Sequence, residues 1–149
     1  MSDVRNFPFK SAKVLVPLNN GSYWKKNKFK DVNELDWFEQ VKINEDLVIT
    51  LVPSQHWNKR SFLSFGPGAT DKALWGSFLI EYKGKKIFFA CDTGYSNIYK
   101  MMGQKFGGVD IFLINSGAYN FEVITSKKDF SIFHTNPEEA LQAAKDIKA

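Results

Sequence analysis

One cysteine, Cys91, is all the sequence offers in 149 residues, so no disulfide can form within the chain and a disulfide-stapled secreted scaffold is excluded. A lone thiol fits a reducing compartment, and the expected location is cytoplasmic. No apolar run approaches the ~20 residues of a membrane span. The opening "MSDVRNFPFK" carries charges and lacks an apolar stretch, which predicts neither a signal peptide nor an anchor. Internal repeats, low-complexity tracts and linkers are also missing, so the chain is read as one unit, residues 1–149, with 1–13 a ragged leading segment.

What is present suits a globular domain: 44% hydrophobic and 24% charged residues. A chain of this length can bury roughly two-thirds of its unfolded surface, enough for one real core. Fourteen Phe and four Trp imply either a very aromatic core or apolar surface meant for another purpose. The net charge of +4 is mild, and its clearest concentration is "YWKKNKFK", Tyr23 to Lys30. Lysines interleaved with aromatics can stack bases or sit on anionic head groups. So short a footprint does not favour nucleic acid, and a helix with its lysines in water and its rings in the core explains the same pattern.

Strands and helices alternate along the chain. "AKVLVPL" reads as a short buried strand closed by Pro17, "NNGS" as a turn, and Tyr23 to Lys28 as a helix. "LVITLVP" is a strand with β-branched residues on both faces. "FGPGATDK" is a loop by its glycines and proline. "WGSFLIEY" and "KKIFFACD" flank "KGK", which predicts a hairpin with Gly84 at its tip. "SNIYKMMGQKF" has helical spacing in Ile98, Met101, Met102 and Phe106, and "VDIFLIN" is a further buried strand. In "TNPEEALQAAKDIK" Asn136 caps a helix, Pro137 takes its first position and Glu139 completes a capping box, with Ala140, Ala144 and Ile147 inward. The succession predicts a layered α/β domain.

Two strand ends carry the chemistry. "FFACDTGYS" runs from interior Phe88 and Phe89 to the carboxylate of Asp92, and "LVPSQHW" repeats the pattern with His56. Strand ends in α/β proteins gather ligands and catalytic groups, because the sheet holds them rigidly while the loops leave room. An imidazole and a carboxylate there suit a zinc site. Asp92 can equally cap the next helix, and a lone strand-end histidine is more often structural than a ligand.

"PLNNG", "NELDWFE", "PSQHW", "LWGSFLI", "FFACDTGY", "GQKFGGVDIFLINSGAY" and "HTNPEEALQ" occur in an order and at spacings that resemble the N-acylphosphatidylethanolamine-hydrolysing phospholipase D branch of the metallo-β-lactamase-fold hydrolases. The resemblance runs from about Val14 to the last residue. It implies an αββα sandwich with two zinc ions at one edge, which activate the attacking water and stabilise the leaving oxygen of a phosphodiester. It further implies that His56 is a single-histidine zinc ligand and Asp92 the carboxylate that bridges both metals. His134 matches a histidine near the reaction centre that is not a direct ligand in the pattern, here a candidate catalytic residue. A pre-helix histidine satisfying the backbone accounts for it as well. Tyr119 falls in a segment that lines the substrate pocket. Cys91 replaces a usual glycine and reads as core.

The departures set the functional expectation. The H-x-H-x-D-H motif of the pattern lies before the segment resembling "VLVPL", yet none of the thirteen residues before Val14 is histidine, and the H-W-G-T ligand beyond the "PEEA" helix is absent. "INSGAY" also replaces "IPIGAY". Of the implied ligands two remain, fewer than the three or four protein donors a zinc site takes. The expected architecture is therefore a partial, truncated metallo-β-lactamase αββα sandwich. Alone it is expected to be inactive, with weak metal binding at most. Its sheet is left bare, to be covered by a second copy of the chain or by a complementary N-terminal fragment. Completed, it would hydrolyse a phospholipid-like phosphodiester; otherwise it is a non-catalytic module that associates through the bare face.

Overall fold

The computed structural model describes residues 2–57, 72–117 and 133–149. Helix α1 (Ser2–Asn6) leads into strand β1 (Val14–Pro17), helix α2 (Gly21–Lys26) and strand β2 (Val32–Leu35), which pairs with β1 in parallel. α2 thus begins two residues before the expected Tyr23 and ends two before Lys28. The leading segment is not ragged throughout, because Phe7 stacks on Phe29 and ties it to the β1–β2 unit.

Strands β3 (Gln40–Lys42), β4 (Leu47–Val52), β5 (Ser77–Tyr82), β6 (Lys85–Phe89) and β7 (Ile111–Leu113) form the main sheet in sequence order. All pairs are antiparallel except β6–β7, where helix α3 (Ile98–Phe106) makes the crossover that a parallel pair requires. The β5–β6 hairpin turns on Lys83 (φ 48°) and Gly84 (φ 75°), a two-residue loop with both residues left-handed, which matches strand twist. Helix α4 (Pro137–Ile147) opens with the expected capping box: Asn136 accepts from the Glu139 N–H, and the Glu139 carboxylate accepts from the Asn136 N–H.

The two faces of the sheet differ. One presents Leu79 and Phe88, fully buried beneath Tyr99 and Met102 of α3 and Ala143 and Ile147 of α4, with Phe112 beside them. Ala143, not the expected Ala144, points inward with Ala140, because helical geometry places residues 140, 143 and 147 on one stripe. The other face aligns Val41, Ile49, Ile80, Ile87 and Ile111 across all five strands, followed by Phe78, Phe89 and Leu113. None of these belongs to the core beneath the helices, and Phe89, Ile111 and Leu113 are 45%, 50% and 50% exposed. The "VDIFLIN" strand, expected to be buried, is therefore half-open. Among the described residues no helix is long and apolar enough to cross a membrane.

Candidate metal centre

β4 and β6 are separated by β5, yet the segments that follow them meet. The N–H of Gly94 donates to the Gln55 carbonyl at 2.9 Å, and the N–H of Gln55 donates to Thr93 Oγ1 at 3.1 Å. Thr93 is fully buried, and its hydroxyl is received by the Gly94 carbonyl at 3.0 Å, so this side chain fastens the two strand ends. Clipped in this way, His56 and Asp92 converge: His56 Nε2 lies 3.5 Å from Asp92 Oδ2. Asp92 does not cap α3, whose N-cap is Asn97. The capping account of this carboxylate is thereby removed.

His134 reaches the same carboxylate from the other side, with Nδ1 2.7 Å from Asp92 Oδ1. Its backbone position follows from two anchors. The Asn136 cap fixes the start of α4 just beyond it, and the buried Thr135 hydroxyl donates to the Asn115 carbonyl. Asn115 Nδ2 in turn donates to the Thr93 carbonyl at 3.1 Å, closing a chain of contacts from His134 back to Asp92. His134 therefore faces the carboxylate rather than satisfying the backbone. Potential ligand atoms of His56, Asp92 and His134 all lie within 4.8 Å of one another, the only such group of three among the described residues.

The protons follow from the partners. The Trp57 carbonyl sits 2.7 Å from His56 Nδ1 and can only accept, so Nδ1 carries the hydrogen, and in the neutral form of the ring it is Nε2 that is left bare toward Asp92. An acceptor then faces an acceptor across 3.5 Å. A cation between them, whether a proton or a metal ion, resolves that repulsion. Two imidazoles and a carboxylate are donors that zinc takes, and the outer-shell bond from His56 to a carbonyl is the arrangement metal-ligating histidines use. The residues fit a metal ion.

Cys91 adjoins the cluster without joining it. It sits after β6 at φ 58°, the left-handed region that favours glycine, which accounts for glycine being usual there in the family pattern. Burial, and then the charge of Asp92, push its thiol up to about 11, so at neutral pH it is not the thiolate that binds metal. Tyr119 lies outside the described residues, as does most of the "FGPGATDK" loop.

Sequence reasoning identified His56, Asp92 and His134 but missed Gln55, Thr93, Asn115 and Thr135, which position them. A trace of Thr93 and Thr135 was visible in each standing next to a functional residue. Asn115 stands at the "INSGAY" departure, and its amide performs a link that proline at that place could not.

Comparison with known proteins identifies the family and the fold. The model of the β-lactamase superfamily domain matches residues 2–149. The mitochondrial N-acyl-phosphatidylethanolamine-hydrolyzing phospholipase D of Saccharomyces cerevisiae is 36% identical over 141 residues, which cover 91% of this chain and 28% of that protein. The metallo-β-lactamase fold protein YhfI of Bacillus subtilis superposes with a TM-score of 0.65 at 12% identity, over 99% of this chain and 55% of that one. CmlA, a diiron β-hydroxylase from Streptomyces venezuelae, superposes with a TM-score of 0.64 at 17% identity, over 92% and 29%. The chain thus spans less than a third of the yeast relative's length and about half of YhfI. The family match over residues 2–149, with the shared fold, shows that the chain belongs to the β-lactamase superfamily domain family and has the metallo-β-lactamase fold.

Proposed function

We propose that this chain is one portion of a zinc-dependent, phospholipase D-like hydrolase that cleaves a phosphodiester of the N-acylphosphatidylethanolamine type. The convergence of His56, Asp92 and His134 is the observation that carries the reading. His56 and Asp92 would hold the metal, His56 through the Nε2 left free by its bond to the Trp57 carbonyl. A bound metal ion supplies Lewis-acid activation of water and stabilises the departing oxygen. His134 donates from Nδ1 to Asp92 Oδ1, which orients the carboxylate. Its opposite ring nitrogen is then available to take or give a proton at the substrate, the role of a general acid or base. Tyr119 would line the substrate pocket.

Two donors within one chain, His56 and Asp92, are fewer than the three a catalytic zinc site takes and too few for the two metals of the family pattern. The remaining donors, the H-x-H-x-D-H set and the final histidine, would come from polypeptide outside this sequence, and the chain by itself would be inactive. The reading predicts that the chain with zinc does not release phosphatidic acid from N-acylphosphatidylethanolamine. Addition of a polypeptide carrying H-x-H-x-D-H should restore turnover, and His56→Ala should abolish it. Turnover by the isolated chain that is lost in His56→Ala would overturn the inactivity. Failure of every completed pairing would overturn the hydrolase reading.

The open sheet face favours a second reading, a module that associates through that face. Monomeric proteins rarely expose contiguous apolar patches beyond a few hundred Å². Phe89, Ile111 and Leu113, the exposed members of this face, with the half-buried Ile80 and Ile87 beside them, would be covered by a second copy about a two-fold axis or by the complementary fragment. A reducing compartment, the cytoplasm, suits both readings, as does the single thiol.

A further inference from the structure

Charge is divided unequally along the chain. Residues 1–30 contain seven Lys and Arg against one acidic residue, a net of +6, whereas residues 31–149 contain thirteen against fifteen, a net of −2. The fold draws the two ends of the basic segment together: the Lys30 N–H donates to the Lys10 carbonyl, and Phe7 stacks on Phe29, which stands between Lys28 and Lys30. Lys25, Lys26, Lys28 and Lys30 are exposed, and among the described residues none of them is in an ion pair. Arg5 is exposed on the same unit, while Lys13 pairs with Asp31 at 2.9 Å.

Apolar rings stand among these cations. Phe9 is 67% exposed and Phe7 43%, with Pro8 between them. Phe9 meets Phe7 edge-on at 5.9 Å, and Phe7 stacks on the buried Phe29 at the same separation, so the two exposed rings are braced from behind. Lys10 fixes the approach, with its ammonium 4.5 Å from the centre of the Phe29 ring and bonded to the Val4 carbonyl at 2.7 Å. Solvation of a lysine face explains the helix lysines alone. It does not explain two phenylalanines held out into water between Arg5 and Lys10 in sequence, braced against Phe29 of the basic segment.

We propose that this surface docks on an anionic lipid bilayer, with Phe7 and Phe9 entering the head-group boundary and the lysines resting on the acidic lipids. Cations within a Debye length of such a membrane each raise affinity by about fivefold. Apolar rings at the interface add the second signal that stable peripheral attachment requires. Nucleic acid meets the charge but leaves the exposed rings less well explained, because they are packed on one another rather than spaced as separate stacking platforms. The surface is remote in sequence from His56, Asp92 and His134, so the proposal stands or falls apart from the hydrolase reading.

The test is cosedimentation of the full chain with vesicles of phosphatidylcholine alone and of phosphatidylcholine with phosphatidylserine, at low and physiological salt. Binding to the anionic vesicles only, weakened by salt, is expected. The triple variant Lys25→Glu, Lys26→Glu, Lys28→Glu should lose at least tenfold in affinity. Phe9→Ala should lose severalfold with an unchanged melting temperature, since Phe9 contacts only Phe7 among the rings. Equal binding to neutral vesicles, no binding to either, indifference to both variants, or tighter binding to single-stranded RNA than to anionic vesicles would overturn the proposal.

Discussion

Gly103 lies inside α3 where the helix crosses the end of α4, and a methyl group at that position has nowhere to go. A Cβ built there falls 2.5 Å from the Asp146 carbonyl oxygen and 3.0 Å from both the Cα and the carbonyl carbon of Ile147. These are backbone atoms, so no rotamer change relieves the contact. Either α3 and α4 separate or the end of α4 unwinds. Both outcomes disturb Ile147, which is fully buried in the core over the sheet. Overpacking of a well-filled core costs about 1–3 kcal/mol. Alanine in place of an interior helical glycine returns about 1 kcal/mol in helix propensity. Because the clash is with backbone the upper part of the steric cost applies, and Gly103→Ala is expected to lose up to about 2 kcal/mol by urea denaturation, with a melting temperature several degrees lower. α4 also carries the cap that fixes His134 at its other end, so a separation of the helices should loosen the metal cluster. A Gly103→Ala protein as stable as the parent, or more stable, would refute this account of the α3–α4 contact.

Asn136→Ala removes the capping box and should cost about 1 kcal/mol, while releasing the backbone that holds His134; chemical denaturation and metal titration read the two effects together. Burial raises the Tyr99 phenol from 10.0 to about 12, so its contribution is intact below pH 10 and declines as pH rises toward 12. Ionising it costs roughly 2–3 kcal/mol across that interval, and Tyr99→Phe should flatten the alkaline limb of the stability profile, leaving the earlier loss that begins near pH 9 at Cys91. Thr93→Val unfastens the strand ends and leaves the Gln55 N–H without its hydroxyl partner, a loss of about 1–3 kcal/mol by the same denaturation assay. Sedimentation at micromolar concentration should find a dimer or larger species that Ile80→Lys dissociates; a monomer that binds no hydrophobic dye would contradict the exposed-face argument.

Local signals made much of this fold legible. The α4 cap is written in Asn136, Pro137 and Glu139, and the hairpin in Gly84, because each depends on residues adjacent in sequence. Burial was less legible. Ile111 and Leu113 look like core residues in any strand reading, but among the described residues they lie on the face away from the helices, half exposed, and periodicity does not tell which face of a strand is covered. His56 and Asp92 were visible as polar residues at the ends of apolar runs. Their convergence at one sheet edge was expected from the resemblance alone, and what enforces it, the Thr93 and Gln55 clip between segments 38 residues apart, leaves no local pattern. His134 was visible through the resemblance as a candidate catalytic residue, and by local pattern only as a residue before a helix. That it meets Asp92 follows from the Thr135, Asn115 and Thr93 contacts, which join three segments and leave no pattern in any one of them.

The central claim is that His56 and Asp92 hold a metal ion while His134 orients Asp92, and isothermal titration of the chelator-stripped chain with zinc, paired with elemental analysis, tests it most directly. One ion per chain is expected, released as pH falls because the imidazoles must be neutral to bind. His56→Ala and Asp92→Ala should each weaken binding by tenfold or more, and His134→Ala by less if it orients Asp92 rather than holding the ion. Iron should be measured beside zinc, since imidazole and carboxylate donors serve both. Heats indistinguishable from dilution, or an affinity unchanged in all three variants, would show that the convergence of these side chains serves something other than a metal.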